Sequence, residues 1–343
     1  MITFVVVAIV AFGLTALLTP RVIALSRRRG VLDIPVGEEK EVHSLPTPRL
    51  GGLAIFPAFL AAVAVAWILP VERADASEAG RTVGLLAGAA VIFVLGVWDD
   101  VRELSPAPQF AVLTAASIIP VAAGVRLTAI PNPISGEQIT LPAAAAFVIT
   151  LFWIVGTATT VNWIDGLDGL AAGVVAIAAA ILVLRTVWLG QISVALLPLA
   201  LLGCCLGFLV YNHHPARIFL GGGAYLLGYL IGGVSLAGGP KSATLLLVLA
   251  VPIIDVAWRI ISRLRAHRLP VYGDRGHLHH RLFDLGLSQP RVVLLYYVVA
   301  GFFGLLAVAL PSAQTKFAAL LLTVIAVIVL LERLSRRLQP PSA

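Results

Sequence analysis

Long apolar segments alternate with short polar segments along the whole chain of 343 residues. Each apolar segment runs for about 17–21 residues, close to the length that a helix needs to cross a hydrocarbon core of ~30 Å. The pattern predicts eleven membrane-spanning helices, at about residues 2–19, 50–69, 83–98, 109–125, 143–161, 170–188, 192–211, 219–236, 243–258, 292–310 and 316–331. The predicted fold class is an all-α polytopic membrane protein, with residues 1–343 forming one integral-membrane domain.

The composition excludes a soluble globular domain. Hydrophobic residues make up 59% of the chain and charged residues only 12%, whereas soluble domains contain about 25% charged residues. The first apolar segment carries its basic residues after it, at Arg21 and Arg27–Arg29, so we do not expect a cleaved secretory signal. The formal net charge of +7 suits attraction to anionic lipids and substrates, and it gives no reason to expect a nucleic-acid partner.

The distribution of basic residues predicts the orientation in the membrane. If the N-terminus lies outside, 18 of the 24 Lys and Arg residues fall on the inner side and six on the outer side. Because cytoplasmic segments carry the excess of Lys and Arg, this bias predicts an outer N-terminus and a cytoplasmic C-terminus. Residues 126–142 then predict a short turn or hairpin on the outer side. The cytoplasmic loops are expected at about residues 20–49, 99–108, 162–169, 212–218 and 259–291.

Unusual polar sequences lie in every one of these cytoplasmic loops. They are HSLPTPRLGG (43–52), WDDVRELSP (98–106), NWIDGLDG (162–169), YNHHPARIFLGGGAY (211–225) and YGDRGHLHHRLFDLG (272–286). The orientation rests on Lys and Arg alone, so their common location is an independent indication of one functional site on the cytoplasmic face.

Four aspartates lie directly after predicted spans. Asp99 and Asp100 follow the third span, and Asp165 and Asp168 follow the fifth with the i, i+3 spacing of one helix face. Acidic groups near a bilayer are costly and usually functional, and their hard oxygens suit Mg²⁺ or phosphate chemistry. The alternatives are structural: the first pair could cap the next helix or balance Arg102, and Asp165 could cap the sixth span.

The last cytoplasmic loop contains a cluster of histidines and arginines. His277, His279 and His280 lie in the sequence GHLHHR, beside Asp274, Arg275 and Arg281. The spacing is not typical of a zinc site. Histidine and arginine side chains are instead directed donors for an anionic group such as a diphosphate. A solvated basic loop is the alternative, and the pair before Pro215, His213 and His214, could equally belong to an ordinary interfacial loop.

These sequences together resemble a known family, the polyprenyl-phosphate N-acetylhexosamine-1-phosphate transferases, whose superfamily includes MraY and WecA. The resemblance covers nearly the whole chain. PTPRLGG and HLHHR are more similar to the WecA/TagO branch than to the peptidoglycan-precursor branch. It rests on five motifs in the family's order, PTPRLGGLAIF, VWDD, NWIDGLDGLAAG, PARIFLG and DRGHLHHRLFDLG.

The resemblance implies a fold of ten or eleven helices with a cytoplasmic active site in the inner membrane of a bacterium. It also implies a reaction. The phosphate of a polyprenyl phosphate, expected to be undecaprenyl phosphate, attacks the sugar-linked phosphorus of a UDP-N-acetylhexosamine, and UMP leaves. N-acetylglucosamine is the default sugar, and the product would initiate cell-envelope polysaccharide synthesis. The implied cofactor is Mg²⁺, with Mn²⁺ as the alternative, and a homodimer is left open.

The resemblance also assigns roles to individual residues. Asp99 matches the residue proposed to engage the lipid phosphate. The acidic positions of the metal and nucleotide site are matched by Asp100, Asp165 and Asp168, so that all four aspartates are candidate catalytic residues. Candidate substrate-binding residues are Arg49, Asn162, His277, His279, His280 and Arg281.

One family position is altered. Residues 218–225 read IFLGGGAY and lack, near Gly222, the aspartate that is an essential magnesium ligand in the family. Three hypotheses follow: a working transferase with an altered metal site, an impaired relative that still binds polyprenyl phosphate or nucleotide sugar, and a transporter or other non-enzymatic membrane protein. The phospho-N-acetylmuramoyl-pentapeptide branch is a further alternative for the substrate.

Overall fold

In the computed structural model of this protein, the residues described are 2–35, 45–73, 75–239, 241–265 and 276–338. Helices dominate this part of the chain. They are α1 (Ile2–Arg29), α2 (Gly52–Ile68), α3 (Glu78–Arg102), α4 (Pro106–Ala122), α5 (Ala143–Ile164), α6 (Leu170–Trp188), α7 (Leu196–Asn212), α8 (Gly223–Val234), α9 (Ser242–Val248), α10 (Ala250–Arg265), α11 (Leu278–Asp284), α12 (Gln289–Ala309) and α13 (Ala313–Leu338).

Strands are few and short among the described residues. β1 (Leu32–Asp33) pairs antiparallel with β2 (Thr47–Pro48), at the start of the PTPRLGG segment. β3 (Ala129–Pro131) pairs antiparallel with β4 (Gln138–Thr140), which confirms the hairpin predicted from the turn residues between the fourth and fifth spans.

Each of the eleven predicted apolar segments coincides with helix, so the mostly helical, multi-pass class is confirmed. Six described helices are long and apolar enough to cross a membrane, or seven if one bent pair forms a single span. Four more apolar helices, α2, α4, α7 and α8, have 17 residues or fewer. The count of eleven membrane crossings therefore stays a prediction.

The ninth predicted span is wrong as one continuous helix. It consists of α9 and α10, whose axes are bent by 77°. Pro252, in the first turn of α10, has no backbone N–H to donate to the carbonyl of Val248, so a straight helix would lose a hydrogen bond there. The bend gives α10 a direction of its own, and it packs against α5 and α13.

Small residues bring α8 close to its neighbours. All residues of α8 except Tyr225 are buried, and the helix packs against α3, α5 and α6. A methyl group built on Gly228 would lie 2.6 Å from the Cα atom of Ala158 on α5, and one built on Gly96 of α3 would lie 2.7 Å from the carbonyl oxygen of Gly222. Glycine thus sets the distance between helix backbones, as in many membrane proteins.

We predict that Gly228→Ala destabilises the folded protein by about 1–3 kcal/mol, because the added methyl group would overpack a contact with backbone atoms. The measurement is thermal unfolding of the purified protein in detergent. Gly156→Ala on α5 is the matched control, since its methyl group would meet open space. Equal shifts in the two variants would contradict the packing account.

Candidate functional site

Asp100 joins three of the cytoplasmic sequences. Its buried carboxylate accepts a hydrogen bond at Oδ1 from the backbone N–H of Gly222, at 3.0 Å, and Arg49 Nε lies 3.6 Å from the same oxygen. Backbone bonds add to this contact, because Phe219 N–H donates to the carbonyl of Pro48 at 2.7 Å. The PTPRLGG segment, the end of α3 and the glycine turn before α8 therefore form one wall of the site.

Asp99 has a structural role through one of its oxygens. Oδ1 accepts hydrogen bonds from the backbone N–H of Leu104 at 2.9 Å and from Nε2 of Gln109 at 2.7 Å. These bonds hold the loop after α3, where Glu103 adopts a positive φ of 50°. The capping alternative is wrong for Asp99, since Ser105 is the N-cap of α4 and the bonded N–H of Leu104 precedes that helix. The side chain is half-buried, and Oδ2 makes no hydrogen bond to a described residue. Sequence analysis missed Gln109.

Asp165 and Asp168 lie in the turn between α5 and α6. The expectation that they share one helix face is wrong, because α5 ends at Ile164 and α6 begins only at Leu170. The capping alternative for Asp165 is wrong as well, since Gly169, with φ +78°, is the N-cap of α6. Glycine tolerates this left-handed conformation and lets the turn close tightly.

The two aspartates of this turn have different partners. Asp168 is buried, and its Oδ2 accepts a hydrogen bond from the backbone N–H of Ala216 at 3.1 Å and lies 2.8 Å from Nδ1 of His214. This contact brings the YNHHPAR segment to the NWIDGLDG turn. The carboxylate of Asp165 is half-buried and makes no hydrogen bond or ion pair with a described residue.

Negative charge accumulates around Asp165. Burial, and to a smaller extent the charges of Asp100 and Asp168, raises the pKa of the Asp165 carboxyl to about 8. A carboxylate in such surroundings is stabilised by a cation. Mg²⁺ keeps several of its waters and binds through one or two carboxylates, so the acidic residue types present here suit a hydrated divalent ion.

The described residues nevertheless contain no group of three His, Cys, Asp or Glu side chains arranged to hold a metal ion. Two of the predicted ligands have partners within the protein. Asp168 is directed to His214 and Ala216, and the N–H of Gly222 occupies one oxygen of Asp100. The metal trio of Asp100, Asp165 and Asp168 therefore stays a prediction.

The histidine segment lies directly on the NWIDGLDG turn. A methyl group built on Gly166 would lie 2.6 Å from Nε2 of His279 and 3.0 Å from Nε2 of His280. The carboxylates of Asp165 and Asp168 flank this glycine in the sequence. The structure thus brings together the two motifs whose residue types suggested cation and diphosphate binding.

His279 is a buried imidazole whose ring nitrogens have no hydrogen-bond partner among the described residues. Burial, with the neighbouring His280 and His277, lowers the pKa of His279 well below its ordinary range. A neutral imidazole offers one N–H donor and one acceptor. Buried polar atoms without a partner are uncommon in proteins, so His279 is available for a ligand atom or an ordered water.

His277 is hydrogen-bonded to Asp255, a residue that sequence analysis missed. Its Nδ1 lies 2.8 Å from Oδ2 of Asp255, and Oδ1 of Asp255 accepts a hydrogen bond from the backbone N–H of Leu278 at 2.9 Å. Asp255 is completely buried on α10. Its signal in the sequence was an acidic residue inside an apolar segment, PIIDVAW.

Arg281 contacts backbone in this structure. Its Nε donates to the carbonyl of Gly276 at 2.8 Å, and Nη1 lies 3.4 Å from the carbonyl oxygen of Leu331 on α13. These bonds fix the start of the histidine segment, and its predicted contact with a diphosphate stays a prediction. The predicted neighbours Asp274 and Arg275 lie outside the described residues.

The remaining predicted substrate-binding residues lie at the edge of this region. Arg49 spans from Asp100 to Glu103, with Nη1 3.3 Å from Oε1 of the latter. Asn162 is in the last turn of α5, and its carbonyl accepts the backbone N–H of Asp165 at 3.3 Å. Arg49 thus lies beside Asp100 and Asn162 beside Asp165, and the substrate-binding role of both stays a prediction.

Comparison with known proteins shows which enzymes this chain is similar to. The model of glycosyl transferase family 4 matches residues 82–239. The chain is 36% identical over 321 residues, or 91% of its length and 86% of the relative's, to a Bacillus subtilis (strain 168) protein named probable undecaprenyl-phosphate N-acetylglucosaminyl 1-phosphate transferase. It is 37% identical over 324 residues, or 86% and 79%, to decaprenyl-phosphate N-acetylglucosaminephosphotransferase of Mycobacterium tuberculosis (strain ATCC 25618 / H37Rv).

A more distant relative represents the peptidoglycan-precursor branch. Phospho-N-acetylmuramoyl-pentapeptide-transferase of Desulforudis audaxviator (strain MP104C) is 31% identical over 331 residues, covering 87% of this chain and 95% of the relative. The higher identity to the N-acetylglucosamine enzymes agrees with the WecA/TagO-like motifs. These matches span nearly the whole chain and confirm the resemblance carried by the five motifs. The chain therefore belongs to glycosyl transferase family 4.

Proposed function

We propose that this protein transfers N-acetylglucosamine-1-phosphate from UDP-N-acetylglucosamine to a polyprenyl phosphate, with release of UMP. The observation that carries the proposal is the convergence of the polar motifs. Asp100 binds the glycine turn, Asp168 binds the HHPA segment, and Gly166 receives His279 and His280. The names of the relatives supply the substrate class, a polyprenyl phosphate acceptor and an N-acetylglucosamine-phosphate donor.

The reaction needs little proton transfer. A phosphate monoester has a second pKa near 6 and is mostly a dianion at neutral pH, so the lipid phosphate is already a nucleophile. Its oxygen forms a bond to the sugar-linked phosphorus, while the bond from that phosphorus to the bridging oxygen of UMP breaks. The barrier is electrostatic, because two anions must meet, and positioning with cationic and N–H donors lowers it.

The residues divide this task by charge. His279 and His280 lie where they can direct ring N–H groups at diphosphate oxygens, and Arg49 places positive charge beside Asp100. Asp165 with Asp100 would hold the divalent ion, Mg²⁺ or alternatively Mn²⁺, which supplies neutralisation of the developing negative charge. Oδ2 of Asp99, which makes no hydrogen bond to a described residue, would face the phosphate of the acceptor lipid.

The orientation belongs to the same proposal. The N-terminus lies outside, the C-terminus is cytoplasmic, and the single domain faces the cytoplasm of a bacterial inner membrane through the loops at about 20–49, 99–108, 162–169, 212–218 and 259–291. The excess of Lys and Arg in these loops supports this arrangement. The nucleotide sugar would then approach from the cytoplasm, and the lipid phosphate from the membrane.

An impaired transferase is the second candidate, and one contact favours it. The N–H of Gly222 donates to Asp100 Oδ1 close to the place where the family's aspartate is missing.

A transfer assay distinguishes the candidates. It combines the purified protein with Mg²⁺, polyprenyl phosphate and labelled UDP-N-acetylglucosamine. A labelled lipid product supports the transferase. Its absence, with recovery after inserting Asp behind Gly221, supports the impaired relative, and movement of substrate without product supports a transporter. UDP-N-acetylmuramoyl-pentapeptide in place of the donor tests the other branch.

For the active enzyme, we predict that Asp99→Asn and Asp168→Asn each abolish turnover. Asparagine is nearly the same size and can still accept one backbone hydrogen bond, but it removes a negative charge from the site. The measurement is the rate of lipid-product formation. Asp284→Asn, on the exposed end of α11, is the control and should retain activity. Unchanged rates in both site variants would overturn the site assignment.

We also predict that Gly166→Ala lowers kcat/KM at least ten-fold, because its methyl group would displace His279 and His280 from the turn that carries Asp165 and Asp168. Gly301→Ala on α12 meets open space and should leave kcat/KM unchanged. Steady-state rates over a range of UDP-N-acetylglucosamine concentrations provide the comparison. An unaltered kcat/KM in Gly166→Ala would show that the histidines need not contact this turn.

A further inference from the structure

One face of α10 carries charged residues at the helical spacing i, i+4, i+8. They are Asp255, Arg259 and Arg263. Each one contacts a segment of the site. Asp255 binds the histidine segment. A methyl group built on Gly276 would lie 2.2 Å from the guanidinium carbon of Arg259, and the guanidinium carbon of Arg263 lies 5.2 Å from the ring centroid of Trp163.

Asp255 is the most deeply buried member of this face. Its exposed fraction is 0%, and a buried carboxylate is costly unless its oxygens are hydrogen-bonded. Both oxygens are used, Oδ2 by Nδ1 of His277 and Oδ1 by the backbone N–H of Leu278. An ionised carboxylate only accepts hydrogen bonds, so with Asp255 ionised this contact requires a proton on Nδ1 of His277. Nε2 is then the ring nitrogen left for a ligand.

The orientation of His277 is transmitted to the rest of the cluster by stacking. Its ring is nearly parallel to that of His279, with centroids 5.7 Å apart and an interplanar angle of 13°. Trp163 packs against the same ring in a T-shaped arrangement, with centroids also 5.7 Å apart. His279 in turn contacts Gly166. A continuous chain of contacts therefore runs from Asp255 to the turn that holds Asp165.

We propose that Asp255 is a positioning residue of the site. It fixes His277 in the Nδ1-protonated form and anchors the first turn of α11, so that the histidine segment lies against Gly166. Asp255 acts through His277 and does not touch the substrate. The kinetic consequence rests on the proposed function, whereas the protonation pattern of His277 does not.

The direct test is the ¹⁵N spectrum of the histidine side chains in protein labelled at histidine. The His277 signals are identified by their loss in His277→Gln. We expect a protonated Nδ1 and an unprotonated Nε2 in the unaltered protein at a pH where imidazole is neutral. In Asp255→Asn, the side-chain carbonyl can keep the bond to Leu278 while the amide donates to Nδ1, so the proton moves to Nε2. A His277 protonated at Nε2 in the unaltered protein would overturn the proposal, even if Asp255→Asn does not fold.

Kinetics give the second arm. Loss of a carboxylate behind a functional histidine at metal sites costs about 10- to 100-fold in activity, and we expect a similar fall in kcat/KM for Asp255→Asn. The double variant with His277→Gln should be about as slow as His277→Gln alone, since both changes remove one unit. If the fold-losses of the two single variants instead multiply in the double variant, the link through His277 is refuted. Asp284→Asn is the control. Failure of the unaltered enzyme to form lipid product would count against the proposed function, and the ¹⁵N result would still decide the role of Asp255.

Discussion

The cost of burying charge in an apolar helical bundle organises this site. Asp100, Asp168 and Asp255 are all buried, and each obtains a backbone N–H from a segment far away in the sequence: from Gly222, Ala216 and Leu278 respectively. A carboxylate without such donors would be strongly destabilising in these surroundings. The same bonds that stabilise the carboxylates therefore assemble the cytoplasmic loops into one site.

Asp165 is the exception, and the exception is informative. The described residues give it no hydrogen bond, and burial, with the neighbouring carboxylates of Asp100 and Asp168, raises its pKa. His279 is a second such case, because it is a buried imidazole whose ring nitrogens have no hydrogen-bond partner among the described residues. In the proposed reaction, the carboxylate of Asp165 would thus be available for a cation, and the ring nitrogens of His279 for a diphosphate. The glycine turn at Gly221–Gly223 packs against Asp100. This turn is also the place where the family's aspartate is missing.

Much of this arrangement could be predicted from the sequence. Apolar runs gave the positions of the helices, because membrane helices must be long and apolar, and the coincidence of motifs with basic loops predicted that Asp100, Asp168 and the histidines belong to one region. Local rules failed where tertiary contacts decide the structure. The spacing of Asp165 and Asp168 suggested a helix face, but the glycines of IDGLDG form a turn. Pro252 allowed a bend that hydropathy could not show. Asp255 acts through hydrogen bonds to residues more than 20 positions away, and Gln109 closes a loop from the next helix, and no sequence period reveals either contact.

The central claim is that the polar loops open on one side of the membrane as a single site. Labelling of single cysteines with a membrane-impermeant thiol reagent tests it most directly, in a background where the buried Cys204 and Cys205 are replaced by alanine. The account predicts that Glu103→Cys and Asp284→Cys react only in inside-out vesicles, and that Ser135→Cys in the β3–β4 hairpin reacts only in right-side-out vesicles. Reaction of Glu103→Cys and Asp284→Cys from opposite sides would contradict it.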